Sequence, residues 1–392
     1  MNPVVSLSTP PESTRRKRRE ATPAPAYVEL GALSNFSFLR GGSHPREMVL
    51  AAALLGQVGL GLCDINSLAG VVRGFSAHRE IRDRFPAFRY HVGARLVLDD
   101  GSPEILAYPT DREAYGRLCL LLTTGNLRSK KGQCRLFIED LIGHAEGLQL
   151  IVMPPRDLDA GRDALREALV RLQGLRVWLG ADPLHDGGDR ARINRLAAIA
   201  LSHRVSLIAT NNPLYHGPER RRLQDVLTCI REHVTIEDAG LRLEKNAERH
   251  LKSPEEMARL FSDHPEAIAE TLRFSEALTF RLSELAHNYP EETVGNGETA
   301  QQTLVRLTWE GAHKRYPGGI PQKVTEGVER ELALIAEKDY APYFLTVHDL
   351  VHFAREKRKI LCQGRGSAAN SMVCFCLGVT AVDPMVGNLV FG

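Results

Sequence analysis

Long apolar runs are missing from this sequence, and no segment is long enough to cross a bilayer. A strong surplus of one charge is missing as well, because 50 lysines and arginines stand against 48 aspartates and glutamates. The net charge of +2 excludes a uniformly basic nucleic-acid binder, although it leaves room for local basic patches. The N-terminus has no apolar segment of the secretory type, so we expect a cytoplasmic protein that does not bind membranes.

Cysteine is scarce and scattered. The seven cysteines are odd in number and include no Cys-x-x-Cys pair, which argues against a disulfide scaffold and against a structural zinc site. A reducing compartment agrees with this pattern. No segment repeats at a fixed period either, so a solenoid is not expected.

The pattern that is present divides the chain into three parts. Residues 1–26 carry the run Arg15–Arg19 among Pro, Ser and Thr, and predict a disordered basic tail. Residues 27–290 begin with short apolar strands that alternate with helices, which favours a parallel α/β architecture, open or closed into a barrel. Turn residues near 290–298 predict a boundary, and residues 291–392 form the last part.

Local signals place several helix starts. The sequences 110–113, 253–256 and 299–302 each have the form of a capping box. At the ends of the predicted strands stand Asp64, Arg95 and the pair Asn211 and Asn212. Sites in α/β proteins are usually built at such strand ends.

The segment Gly364, Arg365, Gly366, Ser367 has the composition of an anion-binding turn. Glycines let backbone N–H groups approach a ligand closely, and an arginine fork fits phosphate oxygens. A helix starting at Ser367 or Ala368 would direct its N-terminal dipole at the same point. A Gly-x-Gly pair is also common in ordinary turns, so the residues alone leave both interpretations open.

Other candidate residues have ordinary explanations beside the functional ones. His348 and His352 have helical i, i+4 spacing, which suits either a metal pair or two exposed helix residues. Asp157 and Asp159 are spaced like metal ligands but also like helix-capping residues. The thiols of Cys374 and Cys376 are expected to be buried and free.

Each of two basic clusters could face either solvent or an anionic ligand. Residues 220–222 are three arginines that begin a helix whose other face is Leu223, Val226, Leu227 and Ile230. They fit a solvated face or a contact with a nucleic-acid backbone. Arg355 and the basic residues 357–359 precede the Gly364–Ser367 segment. They fit the same anion site or the C-terminus of a helix.

With these residues in view, the chain resembles the bacterial C-family DNA polymerases, the polymerase III α-subunit family, and most closely their error-prone, damage-inducible branch. The resemblance runs in chain order through the blocks 27–30, 33–41, 67–73, 221–225, 307–312, 340–349, 362–371 and 377–384.

The resemblance implies a distorted β/α barrel of the PHP type followed by the mostly helical beginning of a polymerase palm. It implies that Gly364, Arg365, Gly366 and Ser367 contact the triphosphate of an incoming nucleotide. It further implies Mg²⁺ as the cofactor of the full-length enzyme, with none expected on this chain. DNA, deoxynucleotides, mutagenesis accessory proteins and a sliding clamp are the implied partners.

The sequence departs from the family at the metal-binding positions of the PHP domain. Those positions correspond to Gly31, Leu33, Asp64 with Ile65, Arg95, Asn212 and Leu214. Only Asp64 could serve as a ligand, and Arg95 would place a fixed positive charge where a cation should bind. We therefore expect a metal-free, non-catalytic PHP fold.

The palm carboxylates of the family are expected beyond residue 392, so the chain is expected to be an N-terminal portion that is inactive alone. The resemblance, together with the departures from it, leaves three functions open. The first is an error-prone DNA-directed DNA polymerase acting in damage tolerance, and the alternative is a non-catalytic scaffold or binding module. A metal-dependent phosphoesterase is the third, and the missing ligands speak against it.

Overall fold

The structure, a computed structural model, describes residues 25–285 and 297–385. The chain divides into two compact units, the N-terminal unit Met1–Leu285 and the C-terminal unit Ala286–Gly392. The basic run Arg15–Arg19 and most of the predicted boundary at 290–298 lie outside the described residues. The predicted tail and domain limits therefore stay predictions.

Seven strands form a single sheet in the N-terminal unit, in the spatial order β1 to β7. They are β1 (Val28–Ala32), β2 (Gly59–Ile65), β3 (Arg89–Leu96), β4 (Ile105–Pro109), β5 (Leu148–Val152), β6 (Arg176–Ala181) and β7 (Ser206–Ala209). Nearly all their residues are buried, as expected of strands that are covered on both faces. The predicted α/β class is confirmed.

The direction of β4 corrects the expectation of a wholly parallel sheet. β4 runs antiparallel to both β3 and β5, whereas the other four pairs are parallel. Only residues 97–104 connect β3 to β4, and a parallel crossover needs about a dozen residues or more. A short connection therefore leaves the antiparallel hairpin as the available arrangement.

Nine α-helices accompany these strands within residues 25–285. They are α1 (Pro45–Leu54), α2 (Val71–Ile81), α3 (Arg112–Leu127), α4 (Ile138–His144), α5 (Arg162–Arg171), α6 (Asp189–His203), α7 (Arg221–Glu232), α8 (Pro254–Leu260) and α9 (Pro265–Glu276). The predicted starts of α3 and α8 are present. Ser253 caps α8, but Asp111 rather than Thr110 caps α3, accepting the Ala114 N–H at 2.8 Å.

The sheet curls until its two outer strands approach each other. No backbone ladder joins β1 to β7 within residues 25–285, and the fully buried carboxylate of Glu29 spans the gap instead. Glu29 belongs to β1 and accepts hydrogen bonds from the Thr210 hydroxyl and from the Asn211 N–H (2.9 Å), just after β7. Helix α9 packs against both strands and covers the opening.

The C-terminal unit is helical in its described part, which confirms the expectation of a mostly helical second region. Its helices are α10 (Ala300–Arg315), α11 (Gln322–Glu337), α12 (Ala341–His352) and α13 (Met372–Cys376). The predicted capping box opens α10, because Thr299 accepts the Gln302 N–H at 3.2 Å and Gln302 accepts the Thr299 N–H at 2.9 Å. All five residues of α13 are buried against the other helices.

A glycine permits a close contact between α10 and α13. A Cβ on Gly311 of α10 would lie 1.9 Å from the carbonyl oxygen of Cys376 in α13. That separation is far below van der Waals contact, so only glycine allows the two helices to cross at this distance.

We expect the substitution Gly311→Ala to lower the free energy of unfolding by about 2 kcal/mol, because the helices must separate to admit the methyl group. Gly116→Ala in α3 is the matched control, since nothing lies within 4 Å of its Cβ position. The control should gain up to about 1 kcal/mol from the better helix propensity of alanine. Urea unfolding followed by circular dichroism measures both. Equal stability of Gly311→Ala and the unsubstituted chain would contradict the close crossing.

Candidate functional site

The segment Gly364–Ser367 forms an exposed loop between the helical turn Phe353–Lys357 and α13. Its two glycines serve different purposes. Gly366 has φ +64°, a conformation that favours glycine. Gly364 lies against the chain after α13, where a Cβ would come within 3.0 Å of the Thr380 methyl group. The Gly364 N–H also donates to the Val379 carbonyl at 2.7 Å.

The helix expected to start at Ser367 or Ala368 is different in the structure. One turn of 3-10 helix covers Gly366–Asn370, and α13 begins only at Met372. The N-terminus of α13 is already occupied by the buried carboxylate of Glu331. This side chain accepts the N–H groups of Met372 (2.9 Å) and Val373 (3.1 Å). The prediction that this helix dipole serves the loop is therefore wrong.

Glu331 was not singled out in the sequence, although a signal for it exists. It interrupts the apolar stripe of α11 formed by Val324, Val328 and Ile335, at a position that faces the core. A carboxylate at such a position needs hydrogen-bond donors, and the free N–H groups of a helix start provide them. The partner helix is 41 residues away in the chain, which the stripe alone does not reveal.

The basic residues before the loop have separate roles. The guanidinium of Arg355 donates to the backbone carbonyls of Cys362 and Gly378. Arg358 lies over the ring of Phe353, with its guanidinium carbon 5.2 Å from the ring centre. Arg365 itself is exposed on the loop. The planar guanidinium of Arg365 is therefore open to an anionic ligand.

A second cluster lies at the strand ends of the N-terminal unit, and Arg95 stands at its centre. The side chain is 3% exposed. It donates to the Gly31 carbonyl at 3.1 Å, to Asn212 Oδ1 at 2.7 Å and to Glu104 Oε2 at 2.7 Å. Three of the positions where the resemblance implies metal ligands are thus joined by one fixed positive charge.

Glu104 is the partner of Arg95 that the sequence did not reveal. It precedes β4, a strand that was not recognised from the pattern. Burial favours the protonated form of this carboxyl, but the charge and hydrogen bond of Arg95 hold the pKa of Glu104 below its usual range. The pair therefore stays ionised near neutral pH.

Asp64 is the one candidate metal ligand among the positions that the resemblance implies, and its carboxylate forms hydrogen bonds to other residues. Its oxygens accept the Ser34 N–H (2.8 Å), the Ser34 hydroxyl (2.8 Å) and the Ser37 hydroxyl (2.7 Å). Burial raises the pKa of Asp64, and these hydrogen bonds oppose that rise. The side chain therefore anchors the turn at residues 34–37.

Apolar residues occupy the remaining positions where the resemblance implies metal ligands. Leu33, Leu214 and Tyr215 form a small buried cluster, with Ile65 packed against it. Within residues 25–285 and 297–385, no group of three or more His, Cys, Asp or Glu side chains could hold a metal ion. The residues at these strand ends do not fit the metal site that the resemblance would suggest.

The comparisons with known proteins agree with the blocks noted in the sequence. Residues 302–392 match the family model described as the bacterial DNA polymerase III alpha NTPase domain. Over 94% of its length the chain is 53% identical to an error-prone DNA polymerase of Rhodopseudomonas palustris (strain BisB5), covering 33% of that protein. It is 54% identical over 93% of its length to the error-prone DNA polymerase of Sinorhizobium medicae, covering 32%.

By these matches the chain is similar to the error-prone bacterial DNA polymerases. It spans about a third of the length of the curated relatives that it matches.

Two solved structures match part of the chain at low similarity. One is a putative metal-dependent phosphoesterase from Bifidobacterium adolescentis, at 15% identity and a TM-score of 0.37, with 48% of this chain and 88% of that one covered. The other is an amidohydrolase from Chromobacterium violaceum, at 15% identity and a TM-score of 0.38, with 47% and 86% covered.

Helix α7 exposes apolar residues of the face that lies opposite its arginines. Its apolar residues Leu223, Val226 and Ile230 are 40%, 50% and 52% exposed. The buried side consists of Gln224, Thr228 and Cys229. Of the three arginines at residues 220–222, the first two form ion pairs with Glu47 and Asp225, and the third is exposed.

The remaining candidates have local roles. Asp157 Oδ1 accepts the N–H groups of Asp159 (2.9 Å) and Ala160 (3.0 Å), as a turn residue does. His348 and His352 stack with ring centres 6.1 Å apart. Cys374 and Cys376 are buried free thiols, as expected. No helix of the described ranges combines the length and the apolarity that a membrane crossing requires.

One ion-pair group at the strand ends has a measurable pH signature. Glu244 is held by Arg156 (2.7 Å) and Arg249 (3.1 Å), and Arg249 also donates to the Asn212 carbonyl at 2.7 Å. Burial alone would raise the pKa of Glu244, but its hydrogen bonds and charges with the two arginines lower it to about 2, against an ordinary value of 4.5.

We expect Glu244→Gln to cost up to about 3 kcal/mol of unfolding free energy at pH 7. The folded-state pKa lies below the unfolded one, so this stabilisation is complete above about pH 4.5 and disappears as the pH falls toward about 2. The difference between the two chains should therefore shrink over that interval in urea unfolding at a series of pH values. Glu237→Gln, which removes an exposed carboxylate, is the control. A constant difference from pH 7 to pH 2 would refute the ion-pair explanation.

Proposed function

We propose that this chain is part of an error-prone DNA-directed DNA polymerase that synthesises DNA in damage tolerance. Its Gly364–Ser367 loop contacts the triphosphate of the incoming nucleotide. The observation that carries the proposal is the exposed Arg365, Gly366 and Ser367 on a loop inside the segment that matches the polymerase family. DNA, deoxynucleotides, accessory proteins and a sliding clamp are the proposed partners of the whole polymerase.

The loop supplies three kinds of donor to phosphate oxygens. Arg365 offers a planar guanidinium fork, Ser367 a hydroxyl, and the glycine-bearing backbone its N–H groups. Mg²⁺, when bound with the nucleotide by the whole polymerase, would neutralise further phosphate charge. The chain holds the phosphates, and nucleotidyl transfer is assigned to carboxylates elsewhere in the polymerase.

We expect the chain to bind dATP, and Arg365→Ala to weaken that binding at least about tenfold, the usual effect of losing a charge-assisted hydrogen bond. Isothermal titration calorimetry with dATP and Mg²⁺ measures the affinity. Arg330→Ala, an exposed arginine of α11, is the charge-matched control. Tripolyphosphate should compete with dATP and deoxyadenosine should not. If Arg365→Ala binds dATP as tightly as the unsubstituted chain, the loop is not the phosphate site.

For the N-terminal unit we propose a non-catalytic scaffold. The observation favouring it is the Arg95 guanidinium, which joins Gly31, Asn212 and Glu104 where a phosphoesterase would need a metal. A divalent cation placed among these groups would be repelled by that charge.

We accordingly expect less than one Zn²⁺ or Mn²⁺ per ten chains after purification with these metals present. We also expect EDTA to leave the melting temperature unchanged. Elemental analysis and calorimetry provide the two measurements, with a metal-dependent phosphoesterase carried through the same steps as control. Stoichiometric metal whose removal abolishes phosphatase activity would restore the phosphoesterase hypothesis.

A further inference from the structure

Arg355 is attached to the phosphate loop without belonging to it. It lies in the helical turn Phe353–Lys357, which directly follows α12. Its Nε donates to the Cys362 carbonyl at 2.8 Å, and its Nη2 donates to the same oxygen. Its Nη1 donates to the Gly378 carbonyl at 2.5 Å. One guanidinium thus engages two carbonyls that are sixteen residues apart in the chain.

These two carbonyls flank the loop on both sides. Cys362 is two residues before Gly364 in the chain. Gly378 directly precedes Val379, whose carbonyl accepts the Gly364 N–H at 2.7 Å. The Arg355 fork therefore fixes the segment that enters the loop to the same turn against which the loop packs.

We propose that Arg355 is the positioning residue of the phosphate loop, an inference that rests on the proposed function of that loop. Peptide carbonyls carry partial negative charge and would repel phosphate oxygens if they turned toward them. In a trans peptide the C=O and the following N–H point in opposite directions. Because the Cys362 carbonyl points toward the Arg355 guanidinium, the N–H of Gln363 points in the opposite direction, away from that guanidinium.

A positive charge alone does not perform this task. The planar guanidinium presents several donors in a fixed fork, so it can hold two carbonyls at once. A lysine would retain the charge, but its single ammonium group on a flexible stem does not reproduce the fork. Replacement by lysine therefore separates the geometry from the charge.

The experiment measures dATP affinity for the full chain and for three variants, Arg355→Lys, Arg355→Gln and Arg358→Gln. Arg358→Gln removes a neighbouring exposed charge that is stacked on Phe353 and is the matched control. We expect both Arg355 variants to bind about tenfold more weakly, because the loop must then be ordered when the nucleotide binds. Arg358→Gln should bind within about twofold of the unsubstituted chain, since an exposed charge contributes little.

Hydrogen exchange followed by mass spectrometry provides a second readout that does not depend on affinity. Amide exchange in residues 363–367 should accelerate in both Arg355 variants, while exchange in α10 and α11 stays as in the unsubstituted chain. Faster exchange throughout the C-terminal unit would instead assign Arg355 a general role in stability and would overturn the positioning role.

The outcomes separate this inference from the function on which it rests. If the unsubstituted chain does not bind dATP, the phosphate loop itself fails. If Arg365→Ala loses binding while both Arg355 variants keep it, the loop stands and the positioning role of Arg355 is refuted. If Arg355→Lys binds normally and Arg355→Gln does not, charge rather than the fork is responsible, which also refutes it.

Discussion

Buried backbone groups that no strand or helix can satisfy set the main constraint on this protein. The sheet of the N-terminal unit curls but does not close by a β1–β7 ladder, so the groups near the gap need side-chain partners. Glu29 satisfies the Thr210 hydroxyl and the Asn211 N–H on one side of this gap. Arg95 then satisfies the Gly31 carbonyl and Asn212 at the same strand ends. Glu29 is fully buried, and this burial raises the pKa of its carboxyl despite these bonds.

The same constraint shapes the C-terminal unit, where charged side chains satisfy the ends of short helical segments. Glu331 accepts the first N–H groups of α13, and Arg315 donates to the carbonyls of Phe375 (3.2 Å) and Thr380 (3.0 Å) near its end. A helix of five residues forms few internal hydrogen bonds, so it depends on such partners. The Gly364–Ser367 loop therefore depends on contacts with this part of the chain, such as the Gly364 N–H to the Val379 carbonyl, as well as on its own glycines.

This arrangement agrees with the different functions that we propose for the two units. In the N-terminal unit the strand ends are filled by an arginine and by leucine packing, which favours a scaffold over a catalytic metal site. In the C-terminal unit Glu331 is buried and Arg315 and Arg355 donate to backbone carbonyls, whereas Arg365 is exposed. The phosphate binding that we propose would therefore fall on one loop, while Arg315 and Arg355 donate to backbone carbonyls near it.

Features that depend on residues close together in the chain could be predicted from the sequence. The capping residues Ser253 and Thr299, the alternation of strands and helices, and the need for glycine at Gly366 depend on neighbours in the chain and were predicted correctly. The blocks shared with the polymerase family could be read in the same way, since they are contiguous.

Tertiary structure decided what depends on residues far apart in sequence. The antiparallel β4, the outward apolar face of α7, the capping of α13 by Glu331 and the fork of Arg355 each involve a partner or a neighbouring layer that periodicity does not specify. An amphipathic pattern states that one face differs from the other, but only the packed chain determines which face is covered. For the same reason the sequence identified Arg365 as a phosphate ligand candidate, whereas the contacts of Arg355 required the fold.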